Sequence, residues 1–232
     1  MGLKILVINP GSTSTKTSLF EDEEELVKES LEHGVEELAP FRHVAEQYDM
    51  RRRKVLDFLE RTGCPPEDLA AVVGRGGLLK PIPGGTYRTN EKMLSVLRAG
   101  ENGEHASNLG ALIAHPIGEA AGVPSFIVDP VVVDELLPEA RLSGLSMIRR
   151  KSIFHALNQR AVARRAAFDL GKGYAESRLV VVHMGGGITV GAHREGRVID
   201  VNDGLNGEGP FSPERAGGLP TGNMVELALP VT

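Results

Sequence analysis

The sequence predicts an α/β fold made of two related domains, and three observations carry that prediction. Two stretches near opposite ends of the chain, Leu3–Phe20 and Leu179–Ala192, share one plan: an apolar strand, a turn rich in glycine or hydroxyls, and a second strand. Between them, short apolar runs alternate with longer segments of helical periodicity. The chain has 232 residues, 41% of them hydrophobic, which is enough for two modest domains. We predict domains at 1–140 and 141–232.

Charge, cysteine content and hydropathy exclude several classes of protein. The formal net charge of −5 argues against a partner such as nucleic acid or an anionic membrane, for which a basic excess supplies affinity. Cys64 is the single cysteine, which rules out an internal disulfide and fits a reducing compartment. No apolar run approaches the roughly 18 residues of a membrane-spanning helix. We therefore expect a cytoplasmic protein that binds neither nucleic acid nor membrane.

The first hairpin and the helix after it come from clear local patterns. Leu3–Asn9 is predicted to be a strand, Pro10–Lys16 a turn rich in hydroxyls, and Thr17–Phe20 the returning strand. Apolar spacing then predicts an amphipathic helix over Phe41–Thr62. The basic run Arg51–Lys54 lies inside this helix, and we interpret it as a solvated helix face, because most charge runs are.

An arginine flanked by glycines follows the next strand. Leu69–Val73 is predicted to be a buried strand, and Gly74-Arg75-Gly76-Gly77 comes directly after it. Arg75 could be an ordinary surface arginine, but ligands bind at strand ends in open α/β sheets, which favours a functional role. Further on, His105 precedes a predicted helix at Leu109–Ala121, where capping of the helix and contact with a ligand are equally compatible with the sequence.

Two further candidates follow in the middle of the chain. Strand Pro124–Val128 ends at Asp129, whose carboxylate is placed for a Mg²⁺ or phosphate-side role, with an N-cap for the next segment as the alternative. A long helix is predicted over Arg149–Leu170, and it contains His155. A neutral, buried histidine without a function is the alternative for His155.

The second hairpin carries the glycine turn. Leu179–Val182 is an apolar strand, His183 follows it, and Gly185, Gly186 and Gly187 form the turn. Because glycines keep no side chain between backbone and ligand, their N–H groups can face phosphate oxygens. The alternative is an ordinary hairpin whose glycines satisfy turn geometry alone. In the long loop that follows, Arg215 is either exposed or directed at an anion.

Repeated hairpins with phosphate-binding turns, one in each half of a chain, are typical of the actin/Hsp70/sugar-kinase fold, which is ribonuclease H-like. Neither a Walker A sequence nor a G-x-G-x-x-G after a strand occurs in this chain. The two common alternative designs for phosphate binding are therefore excluded.

Six motifs, in order, resemble those of the acetate and butyrate kinase family. They are Val7–Lys16, Gly74–Gly77, Phe126–Pro130, Phe154-His155, His183–Gly187 and Phe211–Gly218. The Asn-Pro-Gly-Ser-Thr-Ser-Thr-Lys form of the first motif is more similar to the butyrate kinase branch than to acetate kinase, as are Glu104–Asn108 and Gly207–Arg215.

The resemblance implies transfer of the γ-phosphoryl group of ATP to a short-chain carboxylate, butanoate, which yields an acyl phosphate and ADP with Mg²⁺ as cofactor. It implies four catalytic residues, namely Arg75, His155, His183 and Arg215. The arginines would neutralise the anionic reactants, because their planar fork binds two oxygens at once. His183 would donate to the phosphoryl group in transfer, and His155 would support that geometry from the opposite wall.

The resemblance also implies cofactor contacts. Asn9 and Asp129 would hold Mg²⁺, largely through water. The remaining phosphate contacts would come from the two hairpin turns: Ser12, Ser14, Lys16, Gly185, Gly186 and Gly187.

The family's pattern extends beyond this sequence. The resemblance therefore predicts a truncated member with an incomplete second domain that lacks the adenosine-binding segment. A full-length protein could form a homo-oligomer. Two alternatives stay open: a non-catalytic fragment that binds phosphate or acyl phosphate, and the same fold acting on acetate, propionate or a branched acid.

Overall fold

A computed structural model describes residues 2–229, and the chain divides into two compact units. The first unit comprises the chain up to Lys80 together with Gly85–Pro130, and the second comprises Pro81–Gly84 together with the chain from Val131 onwards. The division at Pro130/Val131 precedes the predicted junction at 140/141. The outer limits of the two predicted domains, Met1 and Thr232, lie outside the described residues.

The first unit is built on a six-stranded mixed sheet. Its strands are β1 (Lys4–Pro10), β2 (Ser14–Glu21), β3 (Glu24–Glu32), β4 (Leu69–Arg75), β5 (Thr86–Arg88) and β6 (Ser125–Val128), in the order β3-β2-β1-β4-β6-β5. Strands β1, β4 and β6 run parallel, and β2, β3 and β5 are antiparallel to their neighbours. The first predicted hairpin is present. Its second strand begins at Ser14 instead of Thr17, because Thr15 and Lys16 already pair with β1.

Four helices accompany this sheet: α1 (Val35–Leu38), α2 (Tyr48–Arg61), α3 (Glu91–Ala99) and α4 (Asn108–Ala121). Helix α4 is apolar on nearly every side and lies directly against β4. A Cβ atom added to Gly74 of β4 would collide with the backbone of Gly110 in α4, and one added to Gly110 would collide with the backbone of Arg75 in β4. The absence of side chains at this crossing therefore lets helix and strand approach at backbone distance. The fully buried core around it includes Leu6, Ile8, Val72, Leu109, Ile113 and Ile127.

The predicted solvated face of α2 is wrong for one residue. Arg51 is 0% exposed, although Arg53 two positions on is exposed. Arg51 precedes the buried Val55 by four residues and Phe58 by seven, so it shares their side of the helix. Its guanidinium is buried at no loss of hydrogen bonds, because it donates to carbonyls of the first hairpin turn.

The second unit contains a three-stranded antiparallel sheet in the order β7-β8-β9. The strands are β7 (Arg178–Met184), β8 (Ile188–Arg194) and β9 (Arg197–Val201), and the helices are α5 (Ala156–Asp169) and α6 (Thr221–Ala228). The long helix predicted from Arg149 begins only at Ala156. Before it, the Phe154 N–H donates to the Val131 carbonyl (3.1 Å) and the Ser152 hydroxyl to the Val133 carbonyl (2.7 Å), and these bonds hold the segment out of the helix.

A buried ion pair anchors the short segment 81–84 in the second unit. Arg160 Nη1 donates to Glu135 Oε2 at 2.9 Å, and both side chains are buried. Glu135 also accepts from the N–H groups of Gly84 (3.0 Å) and Val198 (2.8 Å). Ile82 forms a parallel bridge with Val133. Within residues 2–229, no helix is both long and apolar enough to cross a membrane.

Two buried histidines make the fold sensitive to acid. Burial lowers the pKa of His33 to about 4, and the positive charges of Arg51 and Lys54 add to that effect. Burial also lowers the pKa of His193 to about 4, with Arg160 contributing. His33 Nε2 lies 2.9 Å from Thr15 Oγ1, and His193 lies 2.8 Å from the Tyr174 hydroxyl through Nδ1. Both rings are therefore neutral in the native state at pH 7.

We expect stability to fall as pH drops from 6.5 towards 4. In this range the unfolded chain binds a proton at each histidine and the native state does not, so each site removes roughly 1.4 kcal/mol per pH unit. Urea titrations at several pH values should show this loss of unfolding free energy. In His193→Gln the dependence of that free energy on pH should be less steep, because only His33 still contributes to it. His43→Gln is the control, because His43 is exposed. An unchanged pH slope in His193→Gln would contradict the assignment.

Candidate functional site

The first unit gathers three predicted site residues at one edge of its sheet. Asn9 lies near the end of β1, Arg75 ends β4, and Asp129 directly follows β6. These strands are parallel, so their carboxyl ends share an edge. Arg75 Nη1 donates to Asn9 Oδ1 at 3.4 Å, which brings these two side chains together. Burial lowers the pKa of Arg75, whose guanidinium nevertheless stays charged.

Asp129 is buried and held in a rare conformation. The residue is 1% exposed. Its φ of +38° is in the left-handed region, which non-glycine residues seldom adopt. Asp129 Oδ1 accepts from the Gly85 N–H at 2.8 Å, and the Asp129 N–H donates to the Gly85 carbonyl at 2.9 Å. The N-cap alternative does not hold, because the next helical turn in the described chain begins only at Glu139.

The oxygen ligands at this edge of the sheet suit Mg²⁺, which keeps several waters, better than an ion that is coordinated by protein atoms alone. Among residues 2–229, no group of three or more His, Cys, Asp or Glu side chains converges to hold a metal. One buried carboxylate, Asp129, and one amide oxygen, on Asn9, lie at the same edge of the sheet, at the ends of β6 and β1, with β4 between them. Mg²⁺ commonly takes one or two carboxylates and keeps several waters, so these two residues fit it.

The first hairpin presents its polar side chains on the Asn9 side of the sheet. Asn9 and Lys16 are directly opposed in the β1–β2 register, so they lie on the same face. Ser14 precedes Lys16 by two positions and shares that face. Ser12 lies exposed in the three-residue turn between the strands. The four predicted polar residues of this hairpin therefore belong to one surface and its rim.

The glycines around Arg75 have a packing role. A Cβ atom on Gly74 would meet the Gly110 backbone, and one on Gly77 would meet Asn108 at the start of α4. His105 Nδ1 accepts from the Ser107 N–H at 3.2 Å, so it makes a capping contact just before α4. The unusual spacing of this motif thus reflects close packing of β4 on α4, which fixes Arg75 at the strand end.

In the second unit, the two predicted histidines are stacked. The rings of His155 and His183 have centroids 3.7 Å apart and planes 8° from parallel. His183 lies near the end of β7, and His155 is the N-cap residue of α5. Both rings are half-buried beside the glycine turn.

Polar residues that the sequence analysis missed orient this pair. The Asn158 amide nitrogen lies 2.8 Å from His183 Nδ1 and can only donate, so Nδ1 accepts and Nε2 carries the proton. Thr189 Oγ1 lies 3.0 Å from His155 Nδ1 and accepts from Gln159 Nε2 at 2.9 Å. The available signal was spacing: Asn158 and Gln159 follow His155 by three and four positions, on one side of α5.

Side chains of the following loop approach the glycine turn closely. None of Gly185, Gly186 and Gly187, all within the described chain, has positive φ, so backbone conformation does not demand glycine at these positions. A Cβ atom on Gly187 would collide with the Arg215 guanidinium, and one on Gly186 would collide with the Glu214 carboxylate. At Gly186 and Gly187, side chains of the later loop therefore occupy the space that a Cβ atom would take, and a positive φ is not the reason for glycine at any of the three positions.

The loop that carries Arg215 is bonded to the same turn. The Gly186 carbonyl accepts from Ser212 Oγ at 2.6 Å and from the Glu214 N–H at 3.2 Å. A cavity of about 280 Å³ adjoins Arg215, and its walls include Ile188, Leu205, Pro210 and Glu208. This volume is slightly below the range of small-molecule pockets, about 300–1,000 Å³. The second unit thus joins an arginine, two histidines and a bare backbone turn beside a small cavity.

The predicted site residues form two sets, each assembled within its own unit. The first contains Asn9, Ser12, Ser14, Lys16, Arg75 and Asp129, and the second contains His155, His183, Gly185, Gly186, Gly187 and Arg215.

Comparison with known proteins shows the fold. No protein-family profile matches the sequence. Acetate kinase from Porphyromonas gingivalis is similar at 21% identity and a TM-score of 0.71 over 99% of this chain and 65% of its own. Propionate kinase from Francisella tularensis is similar at 17% identity and a TM-score of 0.63, over 99% of this chain and 65% of its own. Acetate kinase from Entamoeba histolytica is similar at 14% identity and a TM-score of 0.66, over 96% of this chain and 62% of its own. The predicted fold class is confirmed, and this chain spans less than two thirds of each of those chains.

Proposed function

We propose that this protein transfers a phosphoryl group from ATP to a short-chain carboxylate and that butanoate is the acceptor. One observation carries the proposal: in the second unit the Arg215 guanidinium, the stacked His155–His183 pair and the glycine turn meet at one place. The fold shared with acetate and propionate kinases supports the reaction class, and the motifs of the butyrate kinase branch support butanoate. The free, buried thiol of Cys64 fits our placement in the cytoplasm.

The chemistry explains the residue types. Both the attacking carboxylate and the transferring phosphoryl group are anionic, so the site has to offset repulsion and stabilise the equatorial oxygens. In our proposal Arg215 and Arg75 supply those charges. His183 donates to the phosphoryl group through Nε2–H, because its Nδ1 accepts from the Asn158 amide. No general base is needed, because a carboxylic acid is already ionised at pH 7.

The cofactor contacts follow the two sets of residues. Asn9 and Asp129 would hold Mg²⁺, which neutralises phosphate charge when bound. Ser12, Ser14 and Lys16 would contact phosphates from the first hairpin. In the second hairpin, Gly185, Gly186 and Gly187 would offer backbone N–H groups to the β-phosphate.

Acyl hydroxamate formation tests the proposal directly. The chain, supplied with butanoate, ATP, Mg²⁺ and hydroxylamine, is expected to produce butanoyl hydroxamate, and omission of the carboxylate is the control. A panel of acetate, propionate, butanoate and isobutanoate identifies the acceptor by kcat/KM, with about 10–200-fold separation for each methylene. A folded protein that binds ATP but forms no hydroxamate from any acid would refute the proposed carboxylate kinase activity. One that binds phosphate and not ATP would support the non-catalytic alternative.

A further inference from the structure

A fully buried guanidinium lies beneath the first hairpin turn. Arg51 Nη1 donates to the Gly11 carbonyl (2.8 Å) and the Ser14 carbonyl (3.1 Å), and Nη2 donates to the Ser12 carbonyl (3.0 Å). Nη1 also lies 3.1 Å from Thr15 Oγ1. One side chain from α2 therefore binds three carbonyls of the turn. The backbone of the turn adds two bonds, from the Gly11 N–H to the Ser14 carbonyl (2.7 Å) and from the His33 N–H to the Thr13 carbonyl (2.8 Å).

The charge of Arg51 is not balanced by any carboxylate in contact with it. Its remaining bonds, from Nε (3.0 Å) and Nη2 (2.8 Å), go to the neutral Oε1 of Gln47. Glu37 acts on it only at a distance, and its carboxylate accepts a hydrogen bond from Lys54 Nζ at 2.7 Å. In the described chain, then, all hydrogen-bond acceptors of Arg51 are neutral. A buried charge normally has a counter-charge, and without one it favours an anion close by.

Arg51 remains positively charged at neutral pH although its guanidinium is buried. Burial lowers its pKa, to about 10, which is still far above neutral pH. His33 beneath the same turn adds no charge, because its own pKa is lowered to about 4. The fixed positive charge inside the turn thus comes from Arg51.

We propose that Arg51 is a positioning residue for phosphate at the first hairpin. It turns the carbonyls of Gly11, Ser12 and Ser14 inward, and its charge makes the outer side of the turn attractive to an anion. The inference rests on the proposed function in one respect, namely that this hairpin faces phosphate groups. A purely structural arginine would stabilise the turn and leave anion affinity alone.

Replacement of Gln47 by glutamate separates the two roles. Gln47→Glu keeps an oxygen acceptor for Nε and Nη2, so the turn stays tied down and the bonds become charge-assisted. At the same time it supplies the missing counter-charge and cancels the positive potential. We therefore expect an unchanged or raised melting temperature together with about five- to tenfold weaker anion binding, as expected for one opposite charge at contact distance in a partly buried site.

The probe is Mg²⁺–pyrophosphate, titrated calorimetrically into the 232-residue chain. Arg51→Gln is expected to bind it at least about tenfold more weakly than the wild type. Arg53→Gln, an identical charge change on the exposed side of the same helix, is expected to bind within about twofold. If Gln47→Glu fails to fold, Arg51→Lys replaces it, and this variant should retain more affinity than Arg51→Gln because it retains the charge.

The outcomes keep this inference apart from the proposed function. Wild-type affinity in Gln47→Glu, or equal losses in Arg51→Gln and Arg53→Gln, overturns the role of Arg51, whatever the hydroxamate assay gives. A wild-type chain that does not bind pyrophosphate overturns it as well. Pyrophosphate binding that depends on Arg51, without hydroxamate formation, would support the anion site and refute the proposed kinase activity.

Discussion

Replacing Arg215 by alanine is expected to lower butanoyl phosphate formation by roughly 10²–10³-fold, the usual loss for one preorganised charge-stabilising donor. The guanidinium lies against Gly187 and beside the His155–His183 pair, where charge develops on the phosphoryl group in the proposed reaction. Since its contribution is largest in the transition state, kcat should fall more than KM rises. The hydroxamate assay with varied butanoate concentration measures both constants.

Two comparisons define what the loss means. Arg178→Ala removes the same charge from the exposed start of β7 and should leave turnover within about twofold. Gly187→Ala keeps the charge of Arg215 but occupies its space, so it should also lower kcat. Near-normal turnover in Arg215→Ala would remove this residue from the mechanism and leave the histidines to be tested alone.

Local patterns in the sequence were sufficient for the hairpins and for the strand ends. The alternation and glycine content that predict Leu3–Phe20 and Leu179–Ala192 depend on neighbours in the chain, and both hairpins are present. Asn9, Arg75 and Asp129 follow apolar runs that become parallel strands. Their placement at one edge needs only the rule that parallel strands share their carboxyl ends.

What the sequence analysis missed depends on contacts between distant segments. Arg51 sits in a run of four basic residues, which usually marks a wet surface, yet carbonyls some 40 positions earlier bury and satisfy it. The helix expected from Arg149 starts at Ala156, because residues before it bond to the segment after Pro130. Neither interaction has a local signature, since the partner in each case is brought near only by the fold.

The same distinction applies to the glycines. Sequence alone allowed the three glycines of the second hairpin to be turn residues or a phosphate-facing backbone. In the structure, two side chains from a loop that follows β9, those of Arg215 and Glu214, lie where Cβ atoms at Gly187 and Gly186 would be. The glycine pattern therefore indicated that other atoms approach the backbone closely, but it did not indicate which atoms these are.

Gly74→Ala is expected to destabilise the first unit by about 3 kcal/mol or more. Overpacking of a core typically costs 1–3 kcal/mol, and here the added methyl group meets backbone atoms of Gly110, which cannot move aside by changing a rotamer. β4 is an interior strand, paired on both sides, so it cannot shift without disturbing β1 and β6. Urea unfolding monitored by circular dichroism measures the loss.

Gly34→Ala is the matched control for that experiment. Gly34 has a φ of −64°, and a Cβ atom there would meet nothing within 4 Å, so the change in unfolding free energy should stay within about 1 kcal/mol. Gly110→Ala should cost about as much as Gly74→Ala, since each methyl group enters the same crossing of α4 over β4. The double variant should then cost less than the sum, because the first substitution has already forced the two backbones apart. Strict additivity would mean that the two glycines relieve separate contacts, and a tolerated Gly74→Ala would mean that α4 lies further from β4 than the backbone approach at Gly110 requires.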